Sequence, residues 1–388
     1  MVKYTTKNIN SILIGLSLII ASIRGFFETI VEKDDAYVLQ LLLLVFPLLI
    51  VTRNKILLSI YDFRKGSLLI ISISSIIIIS VINTYFINGE FGSPTIFIFL
   101  FIFLLNYLIW IIINRNININ LDILYSITIF NAILLIFVAL LQQLNLNFID
   151  MPGGTTPFEF IRPQSLTGSF LHYPLIISIS SLIFLDKYLK CKKLIFCVAY
   201  FISFAAVIFS LSRSGMFITI LGSLLLYFSN FRILIRNKVL NFLIIFSCII
   251  IYNTEPIYDR LINATNIDST GNDTRVSIWF GVLNKLQFSD LFIGSYFGLV
   301  SNSYRGNFDF GYSVPESSVL LLILNIGFIG CILTYIFFGS NYTSLKSKNA
   351  ISCYIALITS TFFYQSIEVI PFIVFFTLFP IYLNEKNE

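Results

Sequence analysis

The sequence predicts an all-α polytopic membrane protein, on three observations: 57% of its 388 residues are hydrophobic, only 12% are charged, and long apolar runs recur along the whole chain. Mean hydropathy is +0.89, well beyond what a soluble core of this size requires. A helix needs about 20 apolar residues to cross a hydrocarbon core of about 30 Å. The expected spans are 10–31, 36–52, 67–87, 94–113, 122–143, 168–185, 194–212, 215–230, 239–252, 316–338, 350–367 and 370–384. The chain is thus read as a single integral membrane domain over 1–388 with about twelve transmembrane helices.

Each span is bracketed by its own signals. The first follows Lys3 and Lys7 and carries Arg24 toward its far end; no small-residue cleavage motif follows it, so it is read as a retained span rather than a signal peptide. Arg53 and Lys55 close the second, Arg64 and Lys65 open the third, and Arg115 lies between the fourth and fifth. The sixth holds Gly168, His172 and Pro174 and ends at the cluster Lys187 to Lys193, which opens the seventh. Arg232, Arg236 and Lys238 separate the eighth from the ninth, Lys346 and Lys348 the tenth from the eleventh, and Lys386 follows the short twelfth.

With Lys3 and Lys7, these loops hold 17 of the 25 lysines and arginines. Basic residues in short loops stay on the cytoplasmic side, so both termini are expected there. The other side keeps Lys33, Arg162, Arg213, Arg260, Arg275, Lys285 and Arg305, with Arg24 near it. The net charge of +5 is scattered over many loops. It reports topology and contact with membrane lipids, not binding to nucleic acid.

The cysteines, Cys191, Cys197, Cys248, Cys331 and Cys353, lie in or beside spans without CxxC pairing and read as small apolar fillers. One histidine and no cluster of ligating residues predict neither a metal site nor a cofactor.

Polar chemistry concentrates in two extracytoplasmic segments. The first, 144–167, contains Met151-Pro-Gly-Gly-Thr-Thr-Pro157, which forbids a continuous helix, and runs into Arg162-Pro163-Gln164. The second, 253–315, is longer than an ordinary connection. Within it Val276, Trp279, Phe280, Leu283 and Leu286 recur at helical spacing, predicting a helix over 274–288 that is capped by Asn272 or Asp273 and lies on the membrane like a lid. Arg275 would then sit in the first turn, where free N–H groups favour an anion. The run 301–312 follows, with Tyr304, Arg305, Asp309 and Tyr312 available to stack on or bond to sugars, or to form an interfacial aromatic belt.

Arg162, Arg213, Arg275 and Glu316 all lie beside the non-cytoplasmic ends of spans. Ionisable groups there persist by pairing, lining a wet cavity or gripping a charged substrate. Three arginines with one carboxylate suggest a diphosphate and a base. Each residue has a plainer role open to it: a snorkelling arginine for Arg213 in Leu211-Ser-Arg-Ser-Gly215, a first-turn dipole partner for Glu316, and a core imidazole for His172, about one turn inside its span.

The motifs Arg162 through Pro174, Leu211 to Gly215, Asp273-Thr-Arg-Val-Ser-Ile-Trp279, and Glu316-Ser317 followed by Gly327 and Gly330 together resemble the O-antigen polymerase and O-antigen ligase superfamily of bacterial envelope glycosyltransferases. The resemblance covers roughly 162–330 by motif and most of the chain by layout. It implies transfer of an undecaprenyl-diphosphate-linked glycan on the outer face of the inner membrane, without metal or cofactor. The partners it implies are a lipid-diphosphate-linked oligosaccharide and a polysaccharide chain-length regulator. Ligases of the superfamily carry a His-Asn pair where this chain has Glu316-Ser317, so the polymerase branch is favoured. The implied roles are diphosphate binding for Arg162, Arg213 and Arg275 and general base for Glu316, with Asp273, Asp309 and Glu159 as substitutes for the base. The competing expectations are a ligase, a flippase or other polytopic transporter, and a non-catalytic subunit of a polysaccharide assembly.

Overall fold

The computed structural model describes residues 2–31, 33–61, 66–144, 146, 154–155, 161–231, 241, 252, 258, 270–286, 288, 292–301 and 315–384. Among these the protein is all-helical apart from one pair of two-residue strands. In chain order the helices are α1 (Val2–Ser22), α2 (Arg24–Ile30), α3 (Lys33–Tyr61), α4 (Gly66–Asn88), α5 (Ser93–Asn114), α6 (Leu121–Gln143), α7 (His172–Cys191), α8 (Leu194–Phe209), α9 (Arg213–Ser229), α10 (Thr270–Lys285), α11 (Ser318–Thr343), α12 (Lys348–Phe363) and α13 (Ile370–Leu383). Helix coincides with every expected apolar run except 239–252, which lies almost wholly outside the described residues.

By length and composition three stretches suffice to cross a membrane: Ile71–Asn88, α6 and α11. α1 with α2 makes a fourth if the bent pair counts as one. Shorter apolar stretches lie in α3, α5, α8, α9 and α13.

Two interruptions depart from the expected straight spans. The run 10–31 is broken at Ile23, where α1 and α2 meet at 65°. A break frees carbonyls at the end of a helix; the buried Gln40 amide donates to Ile20 O at 3.0 Å and Ala21 O at 3.2 Å and satisfies them. α11 is broken at Gly327, whose φ of +72° and ψ of 174° are not helical. Its first arm folds back on the second, for Cys331 Sγ lies 4.0 Å from Val319 O, whereas twelve residues of straight helix would separate these positions by about 18 Å.

The core runs the length of the bundle around α7, buried from Tyr173 through Leu189, and α13, buried over its whole length. A helix apolar on every face belongs inside. α7 also carries Asp186, whose burial is compensated by Asn349 Nδ2 at 2.7 Å and Lys190 Nζ at 2.7 Å. Asn230 on the far side donates to Asn349 Oδ1 at 2.9 Å, and Ser229 bonds Ser352 at 2.6 Å. This network fixes α7, α9 and α12 at one end. The starts of α7 and α9 and the end of α12 therefore gather at the other.

A satellite core of Val282, Val300 and Leu324, with Ile278, Leu286 and Tyr296 against it, joins α10 and segment 294–301 to the first arm of α11. That segment is pinned by Asn83 to Gly294 O and Ser295 Oγ, by Asn88 to Ser295 O, and by Thr84, which accepts from Phe297 N. Across the Gly327 break, Asn325 Oδ1 accepts from Gly298 N at 2.6 Å and Leu324 O from Tyr296 N at 3.1 Å.

Candidate functional site

The approach to the site begins at the strand pair, where Ile161–Arg162 runs antiparallel to Gly154–Thr155. Gln142 at the end of α6 then accepts from both Gln164 N (3.1 Å) and Ser165 N (2.8 Å), while Ser165 Oγ donates to Leu135 O at 2.6 Å. Gly168, at φ +69°, packs backbone to backbone on Gly25 of α2, where a Cβ on Gly25 would lie 2.5 Å from Gly168 N. The segment is thus clamped between α2 and α6, and the Arg162 guanidinium lies over the Phe170 ring, 4.4 Å from its centroid.

α7 starts at His172, which is the first residue of its helix rather than one turn inside it. Beside it α9 starts at Arg213, capped by Ser212 accepting from Gly215 N at 3.4 Å. The reversal before α9 does not use Gly215. Leu211 takes the left-handed conformation instead, at φ +54°, and Gly215 lets α9 approach α7, since a Cβ there would lie 2.8 Å from Pro174 Cβ.

From Arg213 a chain of aromatic contacts crosses the site. Phe217, one turn along α9, packs on Phe363 at the end of α12 with centroids 5.5 Å apart, and Trp279 of α10 packs on the same ring at 6.5 Å. One turn back from Trp279 is Arg275. It forms an ion pair with Glu316, and both side chains keep access to solvent at 29% and 45%.

Two sequence expectations are corrected. α10 begins at Thr270, so Asn272 and Asp273 lie inside the helix and Arg275 is past its first turn; the anion-binding argument from a helix N-terminus does not apply. Glu316 is not a first-turn dipole partner. Ser317 caps α11 by accepting from Leu320 N, and Glu316 stands outside the helix. Glu316 lies at a bend just before this cap and meets Arg275 from there.

Glu316 is held close to the α12–α13 turn because Ser318 is bonded to it. The Tyr364 carbonyl accepts from Ser318 Oγ (2.8 Å), Ser318 N (3.2 Å) and Ser366 N (2.9 Å), and Ile367 N donates to Ser318 Oγ. The Tyr364 side chain is within electrostatic range of Glu316, Arg162 and Arg275. α12 and α13 have 16 and 14 residues, about 24 and 21 Å of helix, less than a hydrocarbon core of about 30 Å. Their turn, Tyr364–Val369, lies at the end of the bundle where α9 begins, and Arg213 is one helical turn from Phe217, whose ring packs on Phe363.

The structure therefore pairs Arg275 with Glu316 beside the Tyr364 turn, leaves Arg162 within electrostatic range of Tyr364, and ties Arg213 to this end of the bundle only through Phe217 on Phe363. His172 is half-buried two residues beyond Phe170. Asp273 is exposed and makes no ion pair among the described residues. Tyr304, Arg305, Asp309, Tyr312 and Glu159 lie outside the described residues. An apolar hollow of about 390 Å³ between α1 and α6, lined by Ile19, Ile123, Ile127 and Phe130, shares no residue with this cluster.

Sequence reasoning missed Tyr364 and Phe363, and named Trp279 only for its helical spacing and its motif, not for its place against Phe363. The signal for the first was present: Tyr364, Gln365, Ser366 and Glu368 form a polar interruption between two apolar runs, and reading 350–367 as one span passed over it.

No protein-family model matches the chain, and no curated protein is similar to it. Fold and site define its class: an all-α protein with membrane-type helices and an arginine-rich, carboxylate-bearing site at one end of the bundle.

Proposed function

We propose that the protein polymerises lipid-diphosphate-linked oligosaccharide repeat units on the outer face of a bacterial inner membrane, as a polytopic protein of about twelve spans with both termini cytoplasmic. The observation that carries this reading is the pairing of Arg275 with Glu316 beside the Tyr364 turn, with Arg162 within electrostatic range of Tyr364, at the end of the bundle away from the lysine-rich loops. Two guanidiniums grip diphosphate oxygens bidentately, and a third, Arg213, stands at the same end. Stabilising the departing diphosphate is the main electrostatic task, since it is already a good leaving group. Glu316 takes the proton of the attacking sugar hydroxyl. The displacement at the anomeric carbon breaks its bond to the diphosphate oxygen, forms a glycosidic bond and inverts configuration. Glu316-Ser317 favours a polymerase over a ligase.

A second reading, a transporter of lipid-linked glycans, is favoured by the breaks at Ile23 and Gly327, because discontinuous helices are common in transporters. One experiment separates the two. The purified protein in lipid vesicles is given a lipid-diphosphate-linked repeat, and products are resolved by gel and mass spectrometry. A ladder spaced by one repeat, still on lipid, is expected. No ladder, with movement of the authentic substrate between leaflets, overturns the polymerase and leaves the transporter.

A further inference from the structure

The segment that carries Arg162 also carries a buried amide that bonds nothing. Gln164 is 7% exposed. Its main chain is tied on both sides: Gln164 N donates to Gln142 Oε1 at 3.1 Å, and Gln164 O accepts from the Thr167 hydroxyl at 2.7 Å. Its side chain is not tied. Oε1 is buried without a partner, and Nε2 makes no hydrogen bond among the described residues. Other buried amides bond through at least one end, as Gln40 does to Ile20 O, Asn131 to Ser22 Oγ and Asn325 to Leu321 O. A buried polar group is costly unless hydrogen-bonded, and methionine would fill a similar volume without that cost.

The amide and Arg162 share one loop. Two residues separate them, no more than about 7 Å along the chain. Thr167 Oγ also lies 3.0 Å from Ser169 O, so the loop closes on itself and brings the Gln164 main chain beside the residue preceding Phe170. The Phe170 ring lies 4.4 Å from the Arg162 guanidinium. Gln142 on one side and the Gly25 contact with Gly168 on the other hold the loop, so both groups are preorganised.

We propose that the Gln164 amide hydrogen-bonds a sugar of the substrate, the ring joined to the diphosphate held by Arg162. The proposal rests on the diphosphate reading of Arg162 and extends it to what the anion carries. A neutral amide offers donors and an acceptor in one plane. That suits a sugar hydroxyl or acetamido group better than a phosphate, whose oxygens only accept and which the guanidinium serves through charge-assisted bonds. Rotation about the terminal side-chain bond exchanges the two ends of the amide, so either can meet the sugar. The guanidinium fixes the anion, and the amide reads the ring beside it.

The test uses the full-length protein in lipid nanodiscs and two probes that differ only in the sugar, farnesyl diphosphate and farnesyl-diphosphate-linked N-acetylglucosamine. Affinity is read by calorimetry and folding by thermal midpoint. Gln164→Met is expected to bind the sugar-bearing probe about tenfold more weakly and farnesyl diphosphate as wild type does. Its midpoint is expected to hold or rise, because an unpaired buried carbonyl has gone. Equal affinity of wild type and variant for the sugar-bearing probe overturns the proposal. Equal weakening toward both probes also overturns it, as does a lowered midpoint, which makes the amide a structural brace. The polymerase reading fails separately: a sugar-specific loss in Gln164→Met, with no ladder from wild type, upholds the sugar contact and rejects glycosyl transfer. A ladder from wild type with no sugar-specific loss rejects the contact alone.

Discussion

Arg275 on α10 and Glu316 at the lead of α11 form an ion pair that ties the two helices together. Both partners keep access to water, and such pairs contribute only about 0.2–1 kcal/mol. A hydrogen bond between charged groups contributes more, about 1.5–3 kcal/mol, and a guanidinium meets phosphate through two of them. Under the proposed function, an arriving diphosphate would displace Glu316 from Arg275 and leave the carboxylate free beside the attacking hydroxyl. Binding and proton removal are linked through one residue.

Glu316→Gln tests that link. Neutralising the partner releases Arg275, so pyrophosphate binding measured by calorimetry stays equal or becomes tighter. Polymerisation falls by about 10² to 10⁴, the usual contribution of a general base. Parallel loss of binding and turnover would show that Glu316 serves only to position Arg275.

Arg275→Lys preserves the charge but not the planar fork. Most ladder formation is lost, because one ammonium cannot replace two parallel N–H donors. Lys285→Ala, at an exposed position at the end of the same helix, leaves the rate near that of wild type. Wild-type rates in Arg275→Lys would remove this residue from the site.

Gly327→Ala strains the break in α11 in two ways. A positive φ with ψ near 180° is essentially confined to glycine and costs alanine about 1–3 kcal/mol, and its Cβ would lie 2.2 Å from Phe292 O. Gly89 is a positive-φ reference without the clash, having φ +76° and nothing within 4 Å of an added Cβ. The thermal midpoint is expected to drop modestly in Gly89→Ala and much further in Gly327→Ala. Equal drops would show that segment 292–301 is not seated against the break.

Asn325→Leu leaves the buried Gly298 N–H without its acceptor, at a cost of about 1–3 kcal/mol. Hydrogen exchange across 294–301 should accelerate while the core of α7 keeps its protection. Uniform acceleration would place the effect in global stability instead.

The existence of the helices was legible, and 370–384 was placed to within a residue because it is apolar on every side, whereas polar ends hid the start of α1 at Val2 and the extension of α3 to Tyr61. The four charged residues were legible as a set for a related reason: charge is conspicuous in a chain so poor in it. Their relationships were less accessible. Placing the start of α10 at 274 rather than 270 assigned Arg275 an anion-binding role through helix geometry, when its place depends on packing against Leu324 and Phe363. Reading 316–338 as a straight span hid the fold at Gly327, since a glycine in an apolar run looks the same whether it sits in a helix or breaks one.

The sequence by itself determined that the protein is helical and apolar, and roughly where its described helices lie. Those properties follow from transfer of each side chain out of water and from hydrogen bonding within a helix, both nearly local. Tertiary structure alone decided that Glu316 pairs with Arg275, that α11 doubles back, and that Tyr364 lies within electrostatic range of three charges. These depend on which surfaces of distant segments meet, and the atoms that settle the matter, such as Ser318 Oγ on Tyr364 O and Phe292 O against Gly327, come together only when the bundle has closed.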